Sequence, residues 1–535
     1  MMKSDLQKLI SLSVLAALLY PGLELSSGNS AYGLIRAKLK TSAQAAQTRP
    51  TAPAIPEADT ASREVQAMAN DEPWRKNAPS MPPPRPFTLP KIESYKLANG
   101  LEIQLVEDHR FPIISANLGF RSGSAADPPD ELGISDMTAD MLTEGTANRT
   151  SRDIATEVDF IGGGLTAACD YDYTVLSGSA LSPYKDRLFN LMAEVLLKPS
   201  FPESELSLKK VNLIQELTIK RGDPDFLVEE RFNKTVYGSH PYSVVAPTEA
   251  AINKISRKDL QAWHDTHYQP NRSVLIVIGD FQPDKIKAEI ESKFGAWKAL
   301  DVHLADQPSP PKQEGRRIYL VDRPGSVQTS IKVGNLGIKR NDPDYFPMVV
   351  MNQILGGAAH ARLFLNIREA KGFTYGAYSR VAARKNAGSF FATANVRTDV
   401  TNPSLQEFLY ELDRIRTTKV TDEEIKSAKN YLAGSFQLGL ETQGGLAQRL
   451  LEAKLYDLPD NYLETYAEKI TQVNVDDVRK AAGRLIDSNN LVIAVVGDGK
   501  KIEKDLELFA PVTIYDAQGK LSTDALPAAS KDSLN

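Results

Sequence analysis

The chain has 535 residues, with 63 basic and 68 acidic side chains, six histidines and one cysteine. That length exceeds one ordinary core, so two or more domains are expected. A net charge of −5 gives no basic footprint for nucleic acid, 42% hydrophobic content is globular, and the lone Cys169 excludes both an intrachain disulfide and a zinc site built from clustered thiolates.

The N-terminus reads as an address. Lys3 and Lys8 precede the apolar run "LISLSVLAALLYPGL", residues 9 to 23. The run is short for a membrane span of roughly 20 residues and fits the apolar core of a secretory signal. Residues 1–31 are therefore predicted to be a signal peptide, placing the folded body in the periplasm or outside the cell. An uncleaved signal would instead act as a membrane tether. Residues 32–91, with "TSAQAAQTRPTAPAIPEADT" and "APSMPPPRPFTLP", carry no periodic apolar pattern. Such a stretch buries too little surface to offset its ordering entropy and is predicted to be a disordered linker.

The folded body opens with "ESYKLANGLEIQLVEDHRFPIISANLGF". Asn99-Gly100 predicts a hairpin between two alternating strands, and a third strand follows. "GISDMTADMLTEGT" then has a helical period, with Ile134, Met137, Met141 and Leu142 on one face and Asp136 and Asp140 together on another. Ser151 starts a second helix, Gly162 to Gly164 end it, and two strands follow. Two long helices come next, "YKDRLFNLMAEVLLKP" and "PESELSLKKVNLIQELTIKRGDPD", and "HYQPNRSVLIVIGDF" supplies a buried strand. Strands followed by paired helices predict an α+β fold, with helices covering an antiparallel-rich sheet.

The pattern then repeats. "YQPNRSVLIVIGD" ends at Asp280 and "SNNLVIAVVGD" at Asp498, an offset of 218 residues; "FPESELSLKK" and "VTDEEIKSAK" match at an offset of 219, with Ser204 and Asp422 near their helix starts. Two signals at nearly one spacing predict a duplicated domain. The expected organisation is a first domain at 92–300, a linker at 301–316, a second domain at 317–512 and a flexible tail at 513–535.

Few residues look equipped for chemistry. His264 and His267 are three apart on a helix, but no acid or third histidine is placed to complete a metal site, so a structural role is expected. "IGGGL" lacks the G-x-G-x-x-G pattern after a strand, which argues against a nucleotide loop. His360 lies in the turn "GGAAHARLF".

In several stretches together the chain resembles the pitrilysin/insulinase family of zinc peptidases: "GISDMTADMLTEGT", the glycine turn before "LTAACDYDYTVLSGS", "NLIQELTIKRGDPD", "YQPNRSVLIVIGD" and "GGAAHARLFLNIREAKGFTYGAYS". The resemblance covers residues 92 to 510 and implies two homologous domains forming half of a clamshell around a chamber. The family's catalytic helix carries H-x-x-E-H, in which two imidazoles bind zinc and the glutamate is the general base, with a second glutamate on a later helix as third ligand. Aligned on "MLTEGT", Asp136 and Asp140 stand at the two histidine positions, Ala139 at the base position, and Glu216 at the third-ligand position. Three carboxylates suit a hard cation better than zinc, and the base is missing. No metal is expected on this chain.

The resemblance implies a role for a different pair. Arg368 and Tyr375, seven apart, match an Arg/Tyr pair that in active members faces the zinc and supplies donors to the tetrahedral oxyanion. Leu165, Thr166, Ala167 and Ala168 match the strand along which members hold an extended peptide by β-addition. Some bacterial members divide the machinery between two chains, one with H-x-x-E-H and the other with the Arg/Tyr pair. The expectation is the second kind: a subunit that supports peptide hydrolysis only in a heterodimer, with zinc on the H-x-x-E-H partner and no nucleic acid involved. The alternative is an inert scaffold or peptide-binding relative.

Overall fold

The computed structural model describes residues 88–302 and 307–522. The predicted signal peptide, most of the predicted linker and residues 523–535 lie outside the described residues. Among the described residues no helix is long and apolar enough to cross a membrane.

The first half places β1 (Ile92–Lys96), β2 (Glu102–Glu107), β3 (Ile113–Phe120), β4 (Gly164–Cys169), β5 (Thr174–Leu181) and β6 (Ser273–Gly279) in one sheet, ordered β1-β2-β6-β3-β5-β4. Its helices are α1 (Ile134–Met141), α2 (Ser151–Phe160), α3 (Lys185–Leu197), α4 (Glu203–Lys220), α5 (Pro224–Tyr237), α6 (Glu249–Lys254), α7 (Arg257–His267) and α8 (Pro283–Phe294). The predicted hairpin forms at Asn99-Gly100. Gly100 takes φ +96°, and a Cβ there would lie 2.8 Å from the Asn271 Cβ. The Asn99 amide donates to the Phe294 and Trp297 carbonyls at 2.7 and 2.9 Å, fastening the turn to the end of α8.

The second half repeats the plan. It contains β7 (Arg317–Asp322), β8 (Gln328–Leu336), β9 (Thr374–Ala382), β10 (Ser389–Arg397), β11 (Val492–Gly497) and β12 (Val512–Tyr515), ordered β12-β7-β11-β8-β10-β9. Its helices are α9 (Tyr345–Leu355), a π-helix at Phe364–Ala370, α10 (Thr401–Thr417), α11 (Asp422–Leu440), α12 (Gln443–Leu455), α13 (Tyr462–Gln472), α14 (Val475–Leu485) and α15 (Gly499–Leu506).

Five strands correspond one for one. β2 and β7 each run parallel to the central β6 or β11, and the remaining three pairings in each sheet are antiparallel. The sixth strand differs: β1 is antiparallel to β2, whereas β12 is parallel to β7. β12 also corrects the expected tail. The folded chain continues past residue 512, and Ser522 donates its amide to Ile514 at 2.9 Å. Thr421, next to Asp422, caps α11 through a reciprocal capping box with Glu424, whereas α4 begins after Pro202 with no side-chain cap.

The two halves exchange a helix, which the repeat alone did not predict. α5 of the first half lies across β8 and β11 of the second, and α12 of the second lies across β3 and β6 of the first. Leu227, Val228, Phe232 and Val236 of α5 share one apolar cluster with Val321, Val492, Ala494 and Val496. Gly119 on β3 admits α12 closely, since a Cβ there would lie 2.7 Å from Leu451 Cδ1. Lys332 of β8 is buried, pairs with Glu229 of α5, and sits 3.6 Å over the Phe391 ring. β6 and β11, central in their sheets and covered by these helices, are buried at every residue. Continuous apolar runs, rather than alternation, are what such central strands require.

Candidate functional site

The first half sets α1, with Asp136 and Asp140, beside the free edge strand β4. α1 starts from Gly133 in the left-handed region, φ +92°, where a Cβ would lie 2.9 Å from Pro247 Cγ. Its apolar face, with Ile134, Met137, Met141 and Leu142, is buried. α1 packs beside β4. The turn before β4 needs glycine twice: Gly162 takes φ +63°, and a Cβ on Gly163 would overlap the Ser179 carbonyl oxygen at 1.8 Å.

Asp136 presents an outer edge to solvent. The protein packed around the rest of it pushes its carboxyl up to about 8, and the carboxylates of Asp127, Asp140 and Asp170 add to that shift while Lys209 opposes it. Asp127 accepts from the Gly133 and Ser135 amides at 2.7 and 3.3 Å, at the head of α1, and burial pushes it up to about 7. Ala139, at the base position, is a buried methyl. Asp140 forms an ion pair with Lys209 of α4. Glu216 forms another with Lys220, 2.6 Å away and one turn along the same helix.

Lysine ammoniums therefore occupy the surroundings of two of the three carboxylates. The residues do not fit a catalytic zinc: imidazole donors are absent, two of the three carboxylates are already paired, and no base stands between them. Among the described residues no group of three His, Cys, Asp or Glu side chains is arranged to hold a metal. Lys209 and Lys220 escaped the sequence reading, although a signal existed. Lys209, Glu216 and Lys220 are spaced by seven and four residues, which places them on one helical face.

β4 is an edge strand that pairs only with β5. Leu165 and Ala167 pack on the core, while Thr166 and Ala168 are exposed. Cys169 ends the strand. Its thiol donates to the Asp170 carbonyl at 3.3 Å, and burial together with Asp136 pushes it well above the usual thiol range, so it is not poised as a nucleophile.

The second half presents Arg368 and Tyr375. The π-helix carrying Arg368 packs on β9, the free edge of the second sheet, and Tyr375 is the second residue of that strand. Tyr375 is 91% exposed. Arg368 is partly exposed, pairs with the neighbouring Glu369, and stands 4.9 Å from the centre of the Phe364 ring. π-Helical segments are uncommon and frequent at functional sites. His360 is exposed, with its ring 6.0 Å from Tyr431.

The histidine pair on α7 is structural. His264 bonds the Leu196 carbonyl at 2.7 Å and Asp265 at 2.9 Å. His267 bonds the Ser122 hydroxyl at 2.7 Å and stacks on Trp263, and burial lowers it to about 4.

Comparison with known proteins agrees with this geometry. Residues 103–246 match the family model described as insulinase (peptidase family M16), and residues 254–432 match the one described as the peptidase M16 inactive domain. An uncharacterized zinc protease of Bacillus subtilis is 25% identical over 398 residues, covering 74% of this chain and 95% of that protein. One of Streptomyces coelicolor is 26% identical over 367 residues, covering 67% and 80%. The crystal structure of a peptidase M16 inactive domain from Pseudomonas fluorescens superposes with a TM-score of 0.71 at 27% identity, over 76% of this chain and 98% of that one. A protease from Helicobacter pylori shares the fold, with a TM-score of 0.72 at 21% identity, over 76% of this chain and all of that one. The two inactive-domain matches support a non-catalytic relative within this family. The chain belongs to the pitrilysin/insulinase family of zinc peptidases, family M16.

Proposed function

We propose that this chain is the non-metal-binding, activity-supporting subunit of a heterodimeric zinc endopeptidase that degrades peptides. Its partner would be a family chain with an intact H-x-x-E-H motif, holding the zinc. The observation that carries the reading is Tyr375, 91% exposed at the start of an open edge strand, beside the helix that brings Arg368. A phenol and a guanidinium presented this way can donate to a substrate carbonyl and to the oxyanion that develops from it. The free edge of β4 at Leu165, Thr166, Ala167 and Ala168 offers main-chain donors and acceptors to an extended peptide. The apolar N-terminal run supports export, with the body in the periplasm or outside the cell.

A second reading, an inert scaffold or peptide-binding relative, draws support from the Arg368–Glu369 ion pair, which engages the guanidinium locally. Mixing this chain with its H-x-x-E-H partner separates the two. The subunit reading expects peptide turnover that appears only on mixing and depends on Arg368 and Tyr375. Turnover by the partner alone at the same rate would favour the scaffold.

A further inference from the structure

The two open edge strands run toward one junction. β4 ends three residues before Asp172, and β9 ends three residues before Lys385. Asp172 is in the turn between β4 and β5, and Lys385 in the loop between β9 and β10. The Asp172 carboxylate accepts the Lys385 backbone amide at 3.0 Å. It also accepts the Tyr242 hydroxyl, and the Tyr456 hydroxyl at 3.3 Å.

Each partner comes from a different place. Tyr242 follows the exchanged helix α5 in the chain, and Tyr456 caps the exchanged helix α12. One carboxylate thus ties both edge hairpins to the ends of both exchanged helices. The surroundings make the knot stiff. The Tyr242 hydroxyl accepts the Asn386 amide at 3.3 Å, and the Asn386 side chain donates to Gln307 at 2.7 Å. The Arg384 guanidinium is 4.0 Å from the Tyr171 ring centre and 5.2 Å from that of Tyr242. Burial and the Asp172 charge push both tyrosines far above the usual phenol range, so both remain donors.

We propose that Asp172 is a positioning residue that sets the relative orientation of the β4 and β9 edges, and through it the register in which one extended peptide meets both halves. It touches no substrate; it acts through the hairpins it joins. The register part rests on the subunit reading above, and the orientation part does not. The chemistry selects a carboxylate at this position. It must accept from three donors at once, and an amide has one acceptor oxygen and would set its own N–H groups against the remaining donors.

The test uses the full chain with Cys169→Ser and spin labels at Thr166→Cys and Tyr378→Cys. With Asp172 intact, electron–electron distance measurement should give one narrow distribution. Asp172→Ala should broaden it at least twofold, and Asp172→Asn should fall between. Exchange of the Lys385 amide should accelerate at least tenfold in Asp172→Ala, with circular dichroism confirming that the chain remains folded. In the complex with the H-x-x-E-H partner, Asp172→Asn should raise the KM for a peptide several-fold and leave kcat within about twofold, the pattern of lost substrate holding. A distribution as narrow in Asp172→Ala as in wild type overturns the proposal whatever the chain does in proteolysis. A broadened distribution with unchanged KM upholds the orientation role and overturns the register role; the subunit reading fails separately, if mixing with the partner gives no turnover.

Discussion

The Asp140 carboxylate of α1 is closed by the Lys209 ammonium of α4, the helix that packs beside it. Glu216, further along α4, is closed in the same way by Lys220. At both carboxylates a lysine ammonium balances the charge. The protein packed around Asp136, and after it the neighbouring carboxylates, push its carboxyl up to about 8, while Lys209 opposes the shift.

The purified chain should therefore hold no stoichiometric zinc and cleave no peptide alone. Elemental analysis checks the first and a peptide assay the second. One tightly held zinc per chain, released by Asp140→Ala, would overturn the assignment. Asp140→Ala itself should cost no more than about 1 kcal/mol, because the pair it breaks is partly exposed.

In the heterodimer, Tyr375→Phe removes one donor and little volume. Turnover should fall by on the order of 10² to 10³, the usual cost of one oxyanion donor. Arg368→Ala should cost at least as much, since it removes a charge as well. Both side chains are exposed, so gel filtration should show unchanged assembly with the partner. Intact complexes that keep turnover within about twofold of wild type would hand the case to the scaffold reading.

The buried His267 predicts a pH dependence with a definite sign. Burial lowers it from 6.5 to about 4, so the folded state refuses a proton that the unfolded state accepts. Stability is full above pH 6.5 and declines as pH falls from 6.5 toward 4, by up to about 3 kcal/mol. His267→Gln should flatten that part of the curve. Equal slopes for variant and wild type in urea melts between pH 6.5 and 4 would exclude His267 as the cause.

Phe232 of α5 is fully buried, with its ring 5.9 Å from Phe391 of the other half's sheet. Phe232→Ala should cost about 3–5 kcal/mol in denaturant unfolding. A loss below about 1 kcal/mol would mean that the exchanged helix contributes little to joining the halves.

The proposed export makes a simple prediction. The mature chain should be recovered from the periplasm or the medium, shortened by about 31 residues. N-terminal sequencing checks it, and full-length chain found solely in the cytosol would contradict it.

Much was decided locally and could be read from the sequence. The period of "ISDMTADML" buries Ile134, Met137, Met141 and Leu142 and turns Asp136 and Asp140 away from the core, because helix geometry alone sets which residues share a face. Asn99-Gly100 made its turn because glycine tolerates a positive φ. The 218-residue repeat reappears as two sheets with five strands in matching order, since equal patterns of strand and helix have few ways to pack.

What the sequence left open depended on residues far apart in the chain. Nothing in the composition of α5 says that Phe232 belongs under the sheet of the other half, because an amphipathic stripe does not name the surface that will cover it. β12 looked like a tail because four half-buried residues at a sheet edge carry a weak pattern. Lys209 lies 69 residues from Asp140, and Asp172 lies 213 from Lys385 and 284 from Tyr456. Charge pairing and hydrogen bonding fall off within a few ångströms, so only the packed chain could decide which of these groups would meet.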